Sequence, residues 1–166
     1  MSEVLQGLAQ KCQKILGNRP GPKGREEVAK LLQVLLSDPK NIDALVPETT
    51  SERDLLYKDP KLGFCILAHK YDGEKTSPPH DHGPSWAIYA QARGETIMRD
   101  YDKIEDARAD KPGKVKVSRT YSLTPGLAHV YNEGDLHSPT RVGPTSLVRI
   151  EGTDMSLIKR LRYELA

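Results

Sequence analysis

The stretch SPPHDHGPSWAIYAQARG, residues 77–94, carries two of the chain's five histidines, separated by a single aspartate. Residues two apart on a strand point to the same face, so His80 and His82 would enter one cavity together. That is the spacing two ligands on one strand need to reach a single metal ion. A polar turn can carry the same pair, and a metal needs a further ligand from elsewhere. The segment GLAHVYNEGDLHSPTR offers His129 and His137. It reads as a strand, a turn at Glu133-Gly134 and a return strand that brings His137 back into the cavity. His129 lies before the turn and reads as structural, or as a support for the ligands.

Such ligands need a scaffold of short strands, and the chain supplies one after Pro47. Proline and glycine recur there at the short spacing of an antiparallel sandwich or small barrel. Alternation predicts strands near 63–71, 79–82, 85–92, 95–101, 115–123, 127–131, 136–140 and 145–151. KIEDARADKPGK reads as a charged loop, and SLIKRLRYELA as a final strand or helix. Before Pro47, the stripe Val4, Leu5, Leu8, Cys12 and Ile15 predicts a helix beginning near Ser2. After the break at NRPGPKG, a second helix is expected from about Arg25 to Leu36, then a short helical turn around Ile42 to Leu45. Residues 1–46 lie near the lower size limit for a self-sufficient core. They are therefore expected to pack as a helical layer outside the β-unit of 47–166, giving one structural domain.

Composition narrows the function classes. Lys and Arg number 25 against 23 Asp and Glu, a net charge of +2, with no continuous basic block. Neither a nucleic acid nor an anionic membrane is indicated as a partner. The apolar runs LLQVLL and FCILA are far shorter than a bilayer span, and the N-terminus shows no leader pattern, so the chain reads as soluble and unprocessed. Cys12 and Cys65 lie far apart with no CxxC pairing and read as reduced thiols in the core of a cytoplasmic protein. Exposed strands leave a homodimer open.

With these residues in place, the chain resembles the cupins. GEKTSPPHDHGPSWAIYAQARG is similar to the first cupin motif, with Gly73, His80, His82 and Gly94 in order and one extra residue after the first glycine. GLAHVYNEGDLHSPTR is similar to the second, through Gly126, Gly134 and His137, with Asn132 and Arg141 replacing the usual proline and asparagine. The resemblance implies a mainly β, double-stranded β-helix of jelly-roll type that binds one metal through His80, His82 and His137. Within the cupins, RDLLYKDPKLGFCILAHKYDGEKTSPPHDHG resembles the cysteine dioxygenase-like thiol dioxygenases, which lack the acidic ligand of other cupins. Here Ala87 stands at the acidic position and also where some members carry a crosslinking cysteine. One element departs from that family. Its His-x-Tyr pair, on the strand after the third histidine, falls on SLVRIEG, which places Val148 and Ile150 there.

The resemblance implies an enzyme that oxidises a small organic substrate, a thiol carboxylate by analogy, with O2. Three imidazoles leave a divalent ion its full charge and open positions, which with Fe(II) suits oxygen activation. Zn, Ni or Mn in the same cage would instead polarise a carbonyl or a bound water, giving a hydrolase, decarboxylase or isomerase. A cupin that only binds a ligand or stores metal is a third reading, since one fold serves many chemistries. Arg53 offers a carboxylate a planar fork, and its other reading is an exposed ion pair. Arg149 is a second candidate, turned outward if Val148 and Ile150 face the barrel. Trp86 could wall the pocket or fill the core. Tyr89 and Tyr131 could supply a hydroxyl or simply pack, and Asp81 reads as a turn residue.

Overall fold

In the computed structural model, which describes residues 1–166, the first apolar stripe folds as α1, Glu3–Asn18. The Ser2 hydroxyl accepts the Leu5 N–H at 3.2 Å and so satisfies one of the free amides of the first turn. α2 spans Pro22–Leu35 and starts earlier than its stripe suggests. Pro22 sits in its first turn, where a missing N–H leaves no bond unmade. Asp38 caps α3, Pro39–Leu45, by accepting the Lys40 N–H at 2.9 Å.

Ten strands follow: β1 (Asp54–Lys58), β2 (Cys65–Tyr71), β3 (Lys75–Thr76), β4 (Ala87–Arg93), β5 (Thr96–Glu105), β6 (Gly113–Leu123), β7 (Ala128–Tyr131), β8 (His137–Arg141), β9 (Thr145–Glu151) and β10 (Tyr163–Leu165). They form two five-stranded sheets, ordered β1-β2-β9-β4-β7 and β10-β6-β5-β8-β3. Every pairing is antiparallel except β10 with β6. The expected strand at 79–82 is reduced to a single bridge between His80 and His137. The charged loop is shorter than read, because β5 continues to Glu105 and β6 begins at Gly113. SLIKRLRYELA resolves into the end of a 3-10 turn, Met155–Leu157, then extended chain and β10. β1 escapes a pattern reading because a bulge between Leu55 and Tyr57 breaks its alternation.

The main hydrophobic core lies outside the barrel. Ile66, Ala68, Ile88, Val148 and Ile150, on one face of the first sheet, join Leu8, Cys12, Val28 and Leu32 of the helices in a cluster of 21 buried residues. The opposite face of that sheet looks onto the second sheet, across a cluster of only five buried residues: Ala87, Tyr89, Met98, Leu123 and Tyr131. A sheet covered on both sides explains the almost unbroken burial of β2, β4 and β9. Cys12 and Cys65 are free and buried, and burial pushes the Cys12 thiol up to about 12. No helix is long and apolar enough to cross a membrane.

Candidate metal centre

The backbones of His80 and His137 exchange two hydrogen bonds, at 3.0 and 2.9 Å, which pin the 77–82 loop to the start of β8. The chain then turns at Gly83, whose φ of 57° is in the left-handed region glycine favours. Asp81 braces this turn by accepting the Gly83 N–H at 2.9 Å, and His82 is carried inward until it is 1% exposed. A second left-handed glycine, Gly134 at φ 81°, forms the turn that delivers His137. Arg25 of α2 holds that turn from outside, with two bonds of 2.6 Å to Glu133 and one of 2.8 Å to Asn132.

The three imidazoles meet with one ring nitrogen of each within 4.8 Å of the others. His80 Nδ1 donates to the Pro78 carbonyl at 2.8 Å, and His137 Nδ1 donates to the Asp135 carbonyl at 3.0 Å. With the proton held on Nδ1, Nε2 keeps a free lone pair, the arrangement metal-binding histidines adopt. The Tyr89 hydroxyl marks the point of convergence, 3.3 Å from His82 Nε2 and 3.5 Å from His137 Nε2. Tyr131 stacks on the His137 ring with centroids 3.8 Å apart and fixes its plane.

Burial keeps all three rings neutral. It lowers the His80 pKa to about 4 and takes His82 and His137 well below the ordinary histidine range, with His137 and His80 respectively as the next causes. Burial likewise raises the Tyr89 and Tyr131 phenols, so both stay protonated. Three neutral, converging nitrogens, two of them on rings oriented through Nδ1, fit a borderline divalent ion such as iron or zinc and give a hard oxygen-seeking ion nothing to prefer. The centre forms part of the wall of a cavity of about 740 Å³, which His80 and Tyr89 both line.

No family model matches the sequence, and no curated protein matches it. Solved structures do. The BH2720 protein of Bacillus halodurans superposes with a TM-score of 0.55 at 12% identity, over 75% of this chain and 86% of that one. The Cnp3 cupin domain of Schizosaccharomyces pombe gives 0.50 at 11% identity, over 67% and 68%. The fold is that of the cupins. A looser likeness, 0.46 at 13% identity over 64% and 81%, is to a cupin superfamily protein of Desulfitobacterium hafniense.

In this cupin barrel the expected site residues separate. Tyr89 reaches the centre as described. Arg53 lines the cavity but is already engaged, at 3.5 Å with Glu151 and 3.0 Å with Asp154. Trp86 lies in the core shared with the helices, under the Arg25 guanidinium at 5.1 Å, and does not line the cavity. Tyr131 touches the centre through His137, while its hydroxyl lies 2.6 Å from that of Tyr121 on the far side. His129 joins Tyr131 on a smaller cavity of about 240 Å³.

The expected orientation of β9 is reversed. Val148 and Ile150 pack against the helices, and Arg149 turns into the cavity with its guanidinium 4.3 Å from the centre of the Tyr89 ring. The expectation placed the apolar residues inside the barrel, but here the apolar face of the sheet is the outer one. The same inward row brings His69 and Tyr71 of β2 to the cavity wall, so a His-x-Tyr pair is present, far away in sequence from where the resemblance sought it but on the strand that pairs with β9. Sequence reading passed over His69. Its signal was the same two-residue spacing that singled out His80 and His82.

Glu151, 1% exposed, is the acid shared by Arg53 and Arg149. Glu151→Ala should cost about 3–5 kcal/mol, because it leaves the Arg149 charge buried without its partner. Urea unfolding checks this: a loss under about 1 kcal/mol would show that Arg149 does not depend on Glu151.

Proposed function

We propose that this cupin is a mononuclear metal-dependent enzyme, an Fe(II) dioxygenase acting on a small organic substrate. One observation carries the reading: three neutral imidazoles, those of His82 and His137 buried and that of His80 partly so, converge without a carboxylate on the wall of a cavity sized for a small molecule. His80, His82 and His137 would hold the ion. Iron(II) held there would supply the activation of O2 toward the substrate.

The chain's own residues do the rest. The protonated Tyr89 hydroxyl, beside two of the ligand nitrogens, donates a hydrogen bond to a group bound at the centre. Arg149, stacked on Tyr89 and tied to Glu151 at 3.2 Å, holds that ring in place and adds positive charge to the wall. The extended segment after Met155, including Arg160, Leu161 and Arg162, completes the cavity wall.

The decisive measurement is metal content of the protein as isolated, together with oxygen uptake on a panel of small thiol, hydroxy and keto acids. About one iron per chain with substrate-dependent uptake is expected. Zinc without uptake would favour the non-oxidative reading, and iron-loaded protein inert across the panel would favour a binding protein.

A further inference from the structure

The cavity is lined by six basic and three acidic side chains. The acids are all engaged: Glu52 with Lys75, Glu151 with Arg53 and Arg149, and Glu164 with Lys114. Arg160 and Arg162 are exposed to solvent, so Arg141, on β8, is the buried cation left without an acid. It is 2% exposed, and its single hydrogen bond is to the Ser77 hydroxyl at 3.4 Å. Its guanidinium lies 4.0 Å from the centre of the Tyr71 ring and has no carboxylate partner. A buried charge without an ionic partner is costly unless something else neutralises it. Burial lowers the Arg141 pKa, as expected of a cation whose lost hydration nothing replaces.

Two more nitrogens on the same wall lack partners. Arg149 Nε and His69 Nε2 are buried and unbonded, as is Arg141 Nε. His69 Nδ1 donates to the Glu52 carbonyl at 2.6 Å, which leaves Nε2 as a lone-pair acceptor. Two cationic forks and one acceptor therefore share a cavity next to the three histidines. Forks suit a carboxylate or a phosphate equally. The acceptor separates them, because the dianion of a phosphate monoester brings His69 no proton, whereas a carboxylate with a neighbouring hydroxyl does.

We infer that Arg141, with Arg149, holds the carboxylate of a small hydroxy-acid whose hydroxyl donates to His69 Nε2. The assignment rests on the cavity being the substrate pocket of the proposed enzyme. It differs from an anchor at Arg53, which has Asp154 at 3.0 Å to itself and shares Glu151 with Arg149, whereas Arg141 has no acid.

Calorimetric titration of the full chain with lactate, propionate, lactamide and the phosphate monoester methyl phosphate tests it, on protein as isolated and on the His82→Ala variant. Lactate should bind more tightly than propionate and methyl phosphate, and lactamide should show no heat. Arg141→Met and Arg141→Lys should each weaken lactate by at least about tenfold, the value of a charged hydrogen bond, while Arg53→Met changes it less than about threefold. His69→Phe should remove the preference for lactate over propionate while both still bind. The thermal midpoint of Arg141→Met without ligand should equal or exceed that of wild type. Unchanged lactate affinity in Arg141→Met, equal binding of lactamide, tighter binding of methyl phosphate, or a lowered midpoint in Arg141→Met would each overturn the assignment. Lactate binding that persists in His82→Ala while wild type holds no metal would sink the metal-enzyme reading and leave the anion site standing.

Discussion

His82→Ala is expected to abolish metal binding, taking the protein from one equivalent per chain to a level indistinguishable from background. With only three protein ligands, the loss of one leaves His80 and His137, a pair without the third point that closes the cage. Removing even a residue that merely supports a ligand lowers metal affinity by about 10–100-fold, so loss of a ligand exceeds that range. His82 is a demanding test because its ring is 1% exposed and its Nδ1 has no partner, so it contributes little else to the local structure. The variant should therefore fold, as circular dichroism can confirm. Elemental analysis after gel filtration gives the stoichiometry, and retention of one ion per chain by folded His82→Ala would exclude this site.

Metal-free protein should lose stability steeply as the pH falls from about 6.5 towards about 4. His69, His80, His82 and His137 all have pKa values lowered by burial, so all are neutral in the folded state through this window. In the unfolded chain each takes up a proton near its ordinary value of about 6.5. The unfolded state then binds more protons, and unfolding becomes easier with every step down in pH. Each such histidine removes up to about 1.4 kcal/mol per pH unit, against a whole-domain stability of about 5–15 kcal/mol. Acidic groups with lowered values, such as Asp59 and Asp154, act in the same direction but only nearer their own range, about pH 4 and below. Urea midpoints at pH 7.5, 6.5 and 5.5 on chelated protein provide the measurement. Bound metal should move the decline to lower pH, because protons must then compete with the ion for three of the rings. A midpoint that stays level from pH 7.5 to 5.5 would mean the rings are not buried as neutral groups.

Much of this protein was legible in its sequence because the signals were local. Ser2 before an apolar stripe announces a capped helix, and glycines at 94 and 134 mark turns with positive φ, which few other residues adopt. The histidine triad could be read because two members share one short segment and the third follows a turn of recognisable type. Alternation also separated the two faces of β9 correctly, with Arg149 on one and Val148 and Ile150 on the other.

What alternation does not contain is which face looks into the barrel. That depended on the helices. By burying the outer face of the first sheet they take up its apolar residues, and the inward face is left to tyrosine, histidine and arginine. The same dependence hid His69 and Arg141, which come from strands in different sheets and meet only when the sheets close on one cavity. The sequence by itself determined the histidine cluster, the helices and seven of the ten strands, because each rests on spacing within a short stretch. The tertiary structure alone decided that the pocket is cationic, because neutralisation depends on which charges meet in space and Arg141 meets none.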